Sequence, residues 1–167
     1  MPGISSVEIP FLAAGACPRY NPSMKVPGLR SPHEKVEGLV YFGRMLDKIR
    51  LHGQGRLPAD YHANLGSGFD GRCCSFLGVK YEDVVARVKV GGEDPDVLEW
   101  CYANGRKPSP EEIDVWNHYL RKRGWRDEAS KRLAQRKKES GFADREDIKT
   151  FFDYIDADED RDVRTQF

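Results

Sequence analysis

Ser31-Pro32-His33-Glu34 and Ser109-Pro110-Glu111-Glu112 are two copies of one helix-start pattern. In each, the serine can cap the first free N–H groups. The proline takes the first helical position, where no donor is needed, and the glutamate three residues on reaches back to the cap. Asp94-Pro95-Asp96 is a weaker start of the same kind. Downstream of these starts apolar residues recur at helical spacing. Val36, Leu39, Phe42, Gly43, Leu46 and Ile49 form one broad face, which predicts a first helix from Pro32 to about His52 with Gly53 as its C-cap. Phe69 to Leu77 predicts a short helix stopped by Gly78. Pro95–Ala103 turns Val97, Leu98, Cys101 and Tyr102 inward, and Pro110–Arg123 does the same with Ile113, Trp116 and Leu120. A basic helix from Arg126 to about Ser140 follows. A last helix, capped by Asp144, presents Ile148, Phe151, Phe152 and Ile155. Tyr81–Val90 reads two ways: Ala86-Arg87-Val88-Lys89-Val90 alternates like a strand, while Glu82-Asp83 and three valines suit a helix. Helical neighbours and the lack of a partner strand favour the helix.

These elements predict an all-α fold, a compact, bundle-like orthogonal array of about six or seven helices with an extended N-terminal arm. The arm is residues 1–30, which carry Pro2, Pro10, Pro18, Pro22 and Pro27 and no helical period. Residues 31–157 form the helical domain, and 158–167 an acidic tail, frayed from Asp156 onward. The arm offers a way to dock on a second subunit and so allows a homodimer.

A chain of 167 residues is one domain in size. Its 27 basic and 27 acidic residues cancel, which argues against a dedicated nucleic-acid binder. No run approaches the length of a membrane span, so no membrane partner is expected. Cys17, Cys73, Cys74 and Cys101 contain no C-x-x-C, and free, buried thiols are the expectation. Ala14-Gly15-Ala16-Cys17 mimics a lipoprotein cleavage site but lacks a basic start and an unbroken apolar core. The expected location is therefore cytoplasmic.

Several stretches taken in order resemble a known family: Ser31-Pro32-His33-Glu34-Lys35, Arg44-Met45-Leu46-Asp47-Lys48-Ile49-Arg50, Phe76-Leu77-Gly78, Leu98-Glu99-Trp100, and Ser109-Pro110-Glu111-Glu112-Ile113 with Trp116-Asn117. The family is the bacterial domain of unknown function numbered 5069, and the resemblance covers roughly residues 30 to 157, the size of one domain. Order and spacing carry it, not any single motif. It implies a helical fold and a bacterial, cytosolic setting, and it brings no activity with it. The arm and the segment after Trp125 are less typical of the family.

Helical projection puts Arg50 within the apolar face of the first helix and Asp47 on its edge. An i, i+3 salt bridge, partly buried, is the structural reading. An arginine poised for a carboxylate or phosphate and oriented by Asp47 is the functional one. Glu37, Arg44, Lys48 and His52 fall on the opposite side, read as a solvated stripe or, more sharply, as an anion site. The segment Gly53–Gly68 is long for a loop, and folded back it could bring Tyr61, His62 and Asn64 to that stripe.

Neither a zinc spacing nor H-E-x-x-H is present, so no metal and no cofactor are expected. Arg121–Lys138 holds nine basic and two acidic residues, with charges all round the helix and only Trp125 able to stack on a base. Asp156-x-Asp158-x-Asp160 mimics a calcium loop but has Arg161 where glycine is needed and Phe167 where a glutamate belongs. Trp100, Trp116 and Trp125 read as core or core-edge anchors.

The leading expectation is a non-catalytic cytosolic module that binds an anionic group or a protein partner through helix one and the 53–68 loop. Its candidate contacts are Arg44, Asp47, Lys48, Arg50, Tyr61 and His62. One alternative is a small enzyme in the same cleft with His62 or His52 as acid or base. Another is a nucleic-acid accessory protein using the 121–138 basic helix.

Overall fold

Among residues 26–164, which the computed structural model describes, a small hairpin precedes seven α-helices. The hairpin is β1 (Lys35–Val36) and β2 (Leu39–Val40), followed by α1 (Phe42–Gly53) and a 3-10 turn (Ala59–Asn64). Then come α2 (Gly68–Leu77), α3 (Tyr81–Val90), α4 (Asp94–Asn104), α5 (Pro110–Lys122), α6 (Ser130–Glu139) and α7 (Phe151–Asp158). The fold is mostly helical, as the periodicity predicts, and Tyr81–Val90 is a helix. No helix is long and apolar enough to cross a membrane among the described residues.

The two copies of the helix-start pattern meet different fates. Ser109 caps α5: its hydroxyl accepts from Glu112 N–H, and the Glu112 side chain accepts from Ser109 N–H. Ser31 opens no helix. The predicted helix at Pro32 is replaced by the hairpin, with Lys35 opposite Val40 and Val36 opposite Leu39. Glu37 and Gly38, at φ 47° and 87°, make the two-residue turn. A tertiary contact decides this. Asn117 of α5 is buried against the hairpin, accepting from Val40 N–H at 3.0 Å and donating to the Gly38 carbonyl at 2.8 Å. It satisfies backbone groups that a helix would otherwise have paired internally. The Ser31 hydroxyl instead donates to Asp156 at 2.9 Å.

Both ends of the described region are tied in more firmly than expected. Val26 and Leu29, assigned to the arm, are buried with Leu51 and Leu57. Residues 1–25, with the rest of the proposed arm and Cys17, lie outside the described residues. The last helix starts at Phe151, not after Asp144: Thr150 is its cap, in a reciprocal capping box with Asp153. The expected fraying from Asp156 does not occur. Phe152, Asp156 and Glu159, spaced i, i+4, i+7, all face the interior, and Glu159 is only 2% exposed.

The main core joins the hairpin, Phe42, Met45, Leu46 and Ile49 of α1, and the inward faces of α2 to α5 and α7. Trp116 stacks on Phe76, with ring centroids 4.5 Å apart, and Trp100 is half-buried. Trp125, expected in or at the edge of the core, is 47% exposed and lies under the Arg126 guanidinium.

Candidate anion-binding cleft

Arg44 and Lys48 lie one turn apart on α1. The stripe reading places them in solvent, yet they are 3% and 4% exposed. Burial of a cation requires a partner, and each has one. Arg44 grips Glu159 with two hydrogen bonds, Nη1 to Oε2 at 3.0 Å and Nη2 to Oε1 at 2.5 Å. The Tyr61 hydroxyl donates to the same carboxylate at 2.7 Å, and Arg161 also pairs with it. Burial pushes the Glu159 carboxyl up, but the Arg44 fork, Tyr61 and Arg161 outweigh it and hold the group below the usual range. Lys48 Nζ donates to Asp70 at 2.6 Å and to the Tyr41 hydroxyl at 3.1 Å, while Tyr41 donates to Asp70 at 2.8 Å. Burial lowers the Lys48 pKa against the opposing pull of Asp70.

Arg44, Glu159 and Lys48, though not Asp70, line the floor of a cleft of about 490 Å³, within the ordinary range for small-molecule sites. Three walls of different chemistry rise from it. The first is basic: Arg132 and Arg136, one turn apart on α6, with Arg123 before it and Arg72 on α2. The second is one face of α7, Phe151, Tyr154, Ile155 and Asp158 at i, i+3, i+4 and i+7, joined by Phe69. The third is the folded-back segment, with Asp60, Tyr61, Asn64, Ser67 and Gly68. Ser67 and Gly68 also open α2, so the positive end of that helix reaches the cleft.

The rim cations differ in how far they are neutralised. Arg123 is held by Asp127 at 3.1 Å and Glu128 at 2.7 Å. Among the described residues Arg136 pairs with one carboxylate, Glu139, at 3.8 Å, and Arg72 donates to the Tyr119 hydroxyl at 2.7 Å. Arg132 has no carboxylate partner among the described residues. Arg72, Arg132 and Arg136 are exposed. Six cations line the cleft against three carboxylates, Asp60, Asp158 and Glu159.

Of the six candidate contacts, the structure brings Arg44, Lys48 and Tyr61 into the cleft. Asp47 and Arg50 do not line it. They belong to a separate cluster: Arg30 forks onto Asp47 at 2.6 and 2.7 Å and pairs with Asp94 at 2.7 Å, and Arg50 pairs with Asp94 at 2.6 Å. Arg50 lies 3.9 Å from Asp47, so its main tie is to the start of α4, not to its own helix. Gly43 makes room for this cluster, since a Cβ there would sit 2.5 Å from the Arg30 guanidinium. His62 is exposed, bonds the Leu57 carbonyl at 3.0 Å and stacks edge-on against His52, outside the cleft. Glu37 lies in the hairpin turn, away from α1.

The sequence offers Arg123, Arg132 and Arg136 only within the basic 121–138 segment of the nucleic-acid alternative, and does not single out Arg72 or Glu159. The α6 pair and Glu159 had a signal in spacing: Arg132 and Arg136 are i, i+4, and Glu159 extends the Phe152–Asp156 face of α7 by one turn.

A model of the family described as Domain of unknown function (DUF5069) matches residues 26–161. The chain belongs to this family. The DUF5069 match takes in the segment after Trp125, which had looked less typical, together with both basic and aromatic walls and Glu159. No curated protein matches the chain.

Elsewhere in the DUF5069 domain, Cys73, Cys74 and Cys101 are free and buried, and burial pushes the Cys74 thiol up to about 12 and that of Cys101 to about 11. Thiols so raised are poor nucleophiles. No group of three or more His, Cys, Asp or Glu side chains is placed to hold a metal among the described residues. A second hollow, about 580 Å³ between α3 and α4, contains none of the candidate contacts.

Proposed function

We propose that this DUF5069 protein is a cytoplasmic bacterial binding protein whose cleft takes a small anionic ligand. The supporting observation is that Arg72, Arg132 and Arg136 line one cleft, exposed and weakly paired or unpaired, beside the N-terminus of α2. Guanidinium forks and free helix N–H groups are what phosphate and carboxylate oxygens require. The buried floor serves a different purpose. Arg44 and Lys48 are already matched by Glu159 and Asp70, so they fix the shape of the cleft and leave the ligand to the rim.

This keeps the anion-site expectation and moves its centre from α1 to α6 and α2. The enzyme alternative rested on His62 or His52, and neither lines the cleft. The nucleic-acid alternative rested on basic residues all round one helix. Two of them, Arg132 and Arg136, line the cleft while remaining exposed.

Calorimetric titration with inorganic phosphate at low ionic strength tests the proposal. Saturable binding is expected, weakening as salt rises and falling about tenfold or more in the Arg132→Ala, Arg136→Ala double variant. Absence of binding, or binding untouched by that variant, would overturn it.

A further inference from the structure

Resting on that reading, we infer that the ligand is an aromatic phosphate monoester: a flat ring carrying one phosphate. A cleft of about 490 Å³ is far larger than a bare phosphate needs, and its charge is not evenly spread. The exposed cations Arg132, Arg136 and Arg72 sit on α6 and α2. The α7 wall is apolar along three of its four positions, Phe151, Tyr154 and Ile155. These three and Phe69 are only partly buried, so each keeps free surface at the cleft. Phe69 is already packed by Tyr41, Phe152 and Phe151, whereas Phe151 meets one aromatic ring among the described residues, Phe69, edge to face at 6.2 Å, so Phe151 is the ring on which a further ring can stack.

A partly exposed apolar face of this kind is explained by an apolar occupant, because an anion alone would leave it wet. The phosphate goes to the basic wall, where the α2 N-terminus and the Arg132–Arg136 pair supply N–H donors. The ring goes to α7. The aromatic wall selects among anions, and the basic wall recognises the charge.

The test compares three probes on the intact protein by calorimetry: phenyl phosphate, glycerol phosphate and inorganic phosphate, each also against Phe151→Ala. Phe151 is partly exposed, so this variant is expected to fold, which its circular dichroism spectrum checks. The expected result is phenyl phosphate binding about tenfold more tightly than either other probe, with that advantage lost in Phe151→Ala. Equal affinity for phenyl and glycerol phosphate would overturn this inference and leave the anion site standing. No binding of any probe would overturn both.

Discussion

Two pairs of cations with the same i, i+4 spacing face one cleft in opposite states. Arg44 and Lys48 on α1 are buried, and each is matched by a buried carboxylate. Arg132 and Arg136 on α6 are exposed, with one carboxylate at 3.8 Å between them. Spacing alone does not separate them; the environment does. A cation taken out of water destabilises the fold unless it is paired, so the inner pair is committed to structure. The outer pair stays in water and keeps its hydration.

The comparison is most sharply broken by taking away one inner partner. Glu159→Gln strands Arg44, which cannot shed its charge, and is expected to lower stability by about 3–5 kcal/mol in denaturant unfolding. Replacing both partners with apolar residues, Arg44→Met with Glu159→Leu, should cost less than the single change, because no charge is then stranded. Asp70→Asn is expected to cost somewhat less, about 2–3 kcal/mol, since burial already lowers the Lys48 pKa and the amine can go neutral.

The inner region also sets the acid response. Glu159, held below its ordinary pKa, contributes stability above about pH 4.5, and that contribution is lost as pH falls through its folded-state value. His33 acts at a higher pH. Burial, helped by Arg164 and Arg121, lowers it from 6.5 to about 4, so between these values the unfolded chain takes up a proton that the folded chain refuses. Stability should therefore fall as pH drops from 6.5 to 4, by on the order of 2 kcal/mol. Asp156, 3.9 Å from His33, is shifted up by burial and partly offsets this fall. His33→Phe keeps the edge-on contact with Phe152 and should flatten the profile in that window, as read by unfolding midpoints at pH 7 and pH 5.

The smallest effect on stability belongs to the outer pair. Arg132→Ala and Arg136→Ala should each change it by no more than about 0.5 kcal/mol. Each should still weaken phosphate binding several-fold, so stability and binding separate on α6 and stay coupled on α1.

What was legible in the sequence follows the same division between local and long-range causes. Ser109, Gly78 and the valines of α3 act within a turn or two of themselves, and the helices they mark are present. Ser31 carries the same local signal as Ser109. Its fate depends on Asn117, 79 residues from Gly38, and on Asp156, 125 residues from Ser31 itself. No window of local spacing contains those contacts. The candidate cleft divides likewise: the sequence groups Arg44, Lys48 and Tyr61 because α1 and the long segment after it are neighbours in the chain, and all three line the cleft. Glu159 closes on them from the far end, and its acidic surroundings read as a solvated tail. The helical projection puts Arg50 within the apolar face of α1; the side chain is partly buried, and its partner, Asp94, lies 44 residues away.

The most direct test follows the arginine side-chain Nε–H signals by nuclear magnetic resonance while phosphate is added. The account predicts that Arg132, Arg136 and Arg72 shift and saturate together while Arg44, locked on Glu159, stays in place. Shifts centred on Arg44 with the α6 arginines unmoved would contradict it.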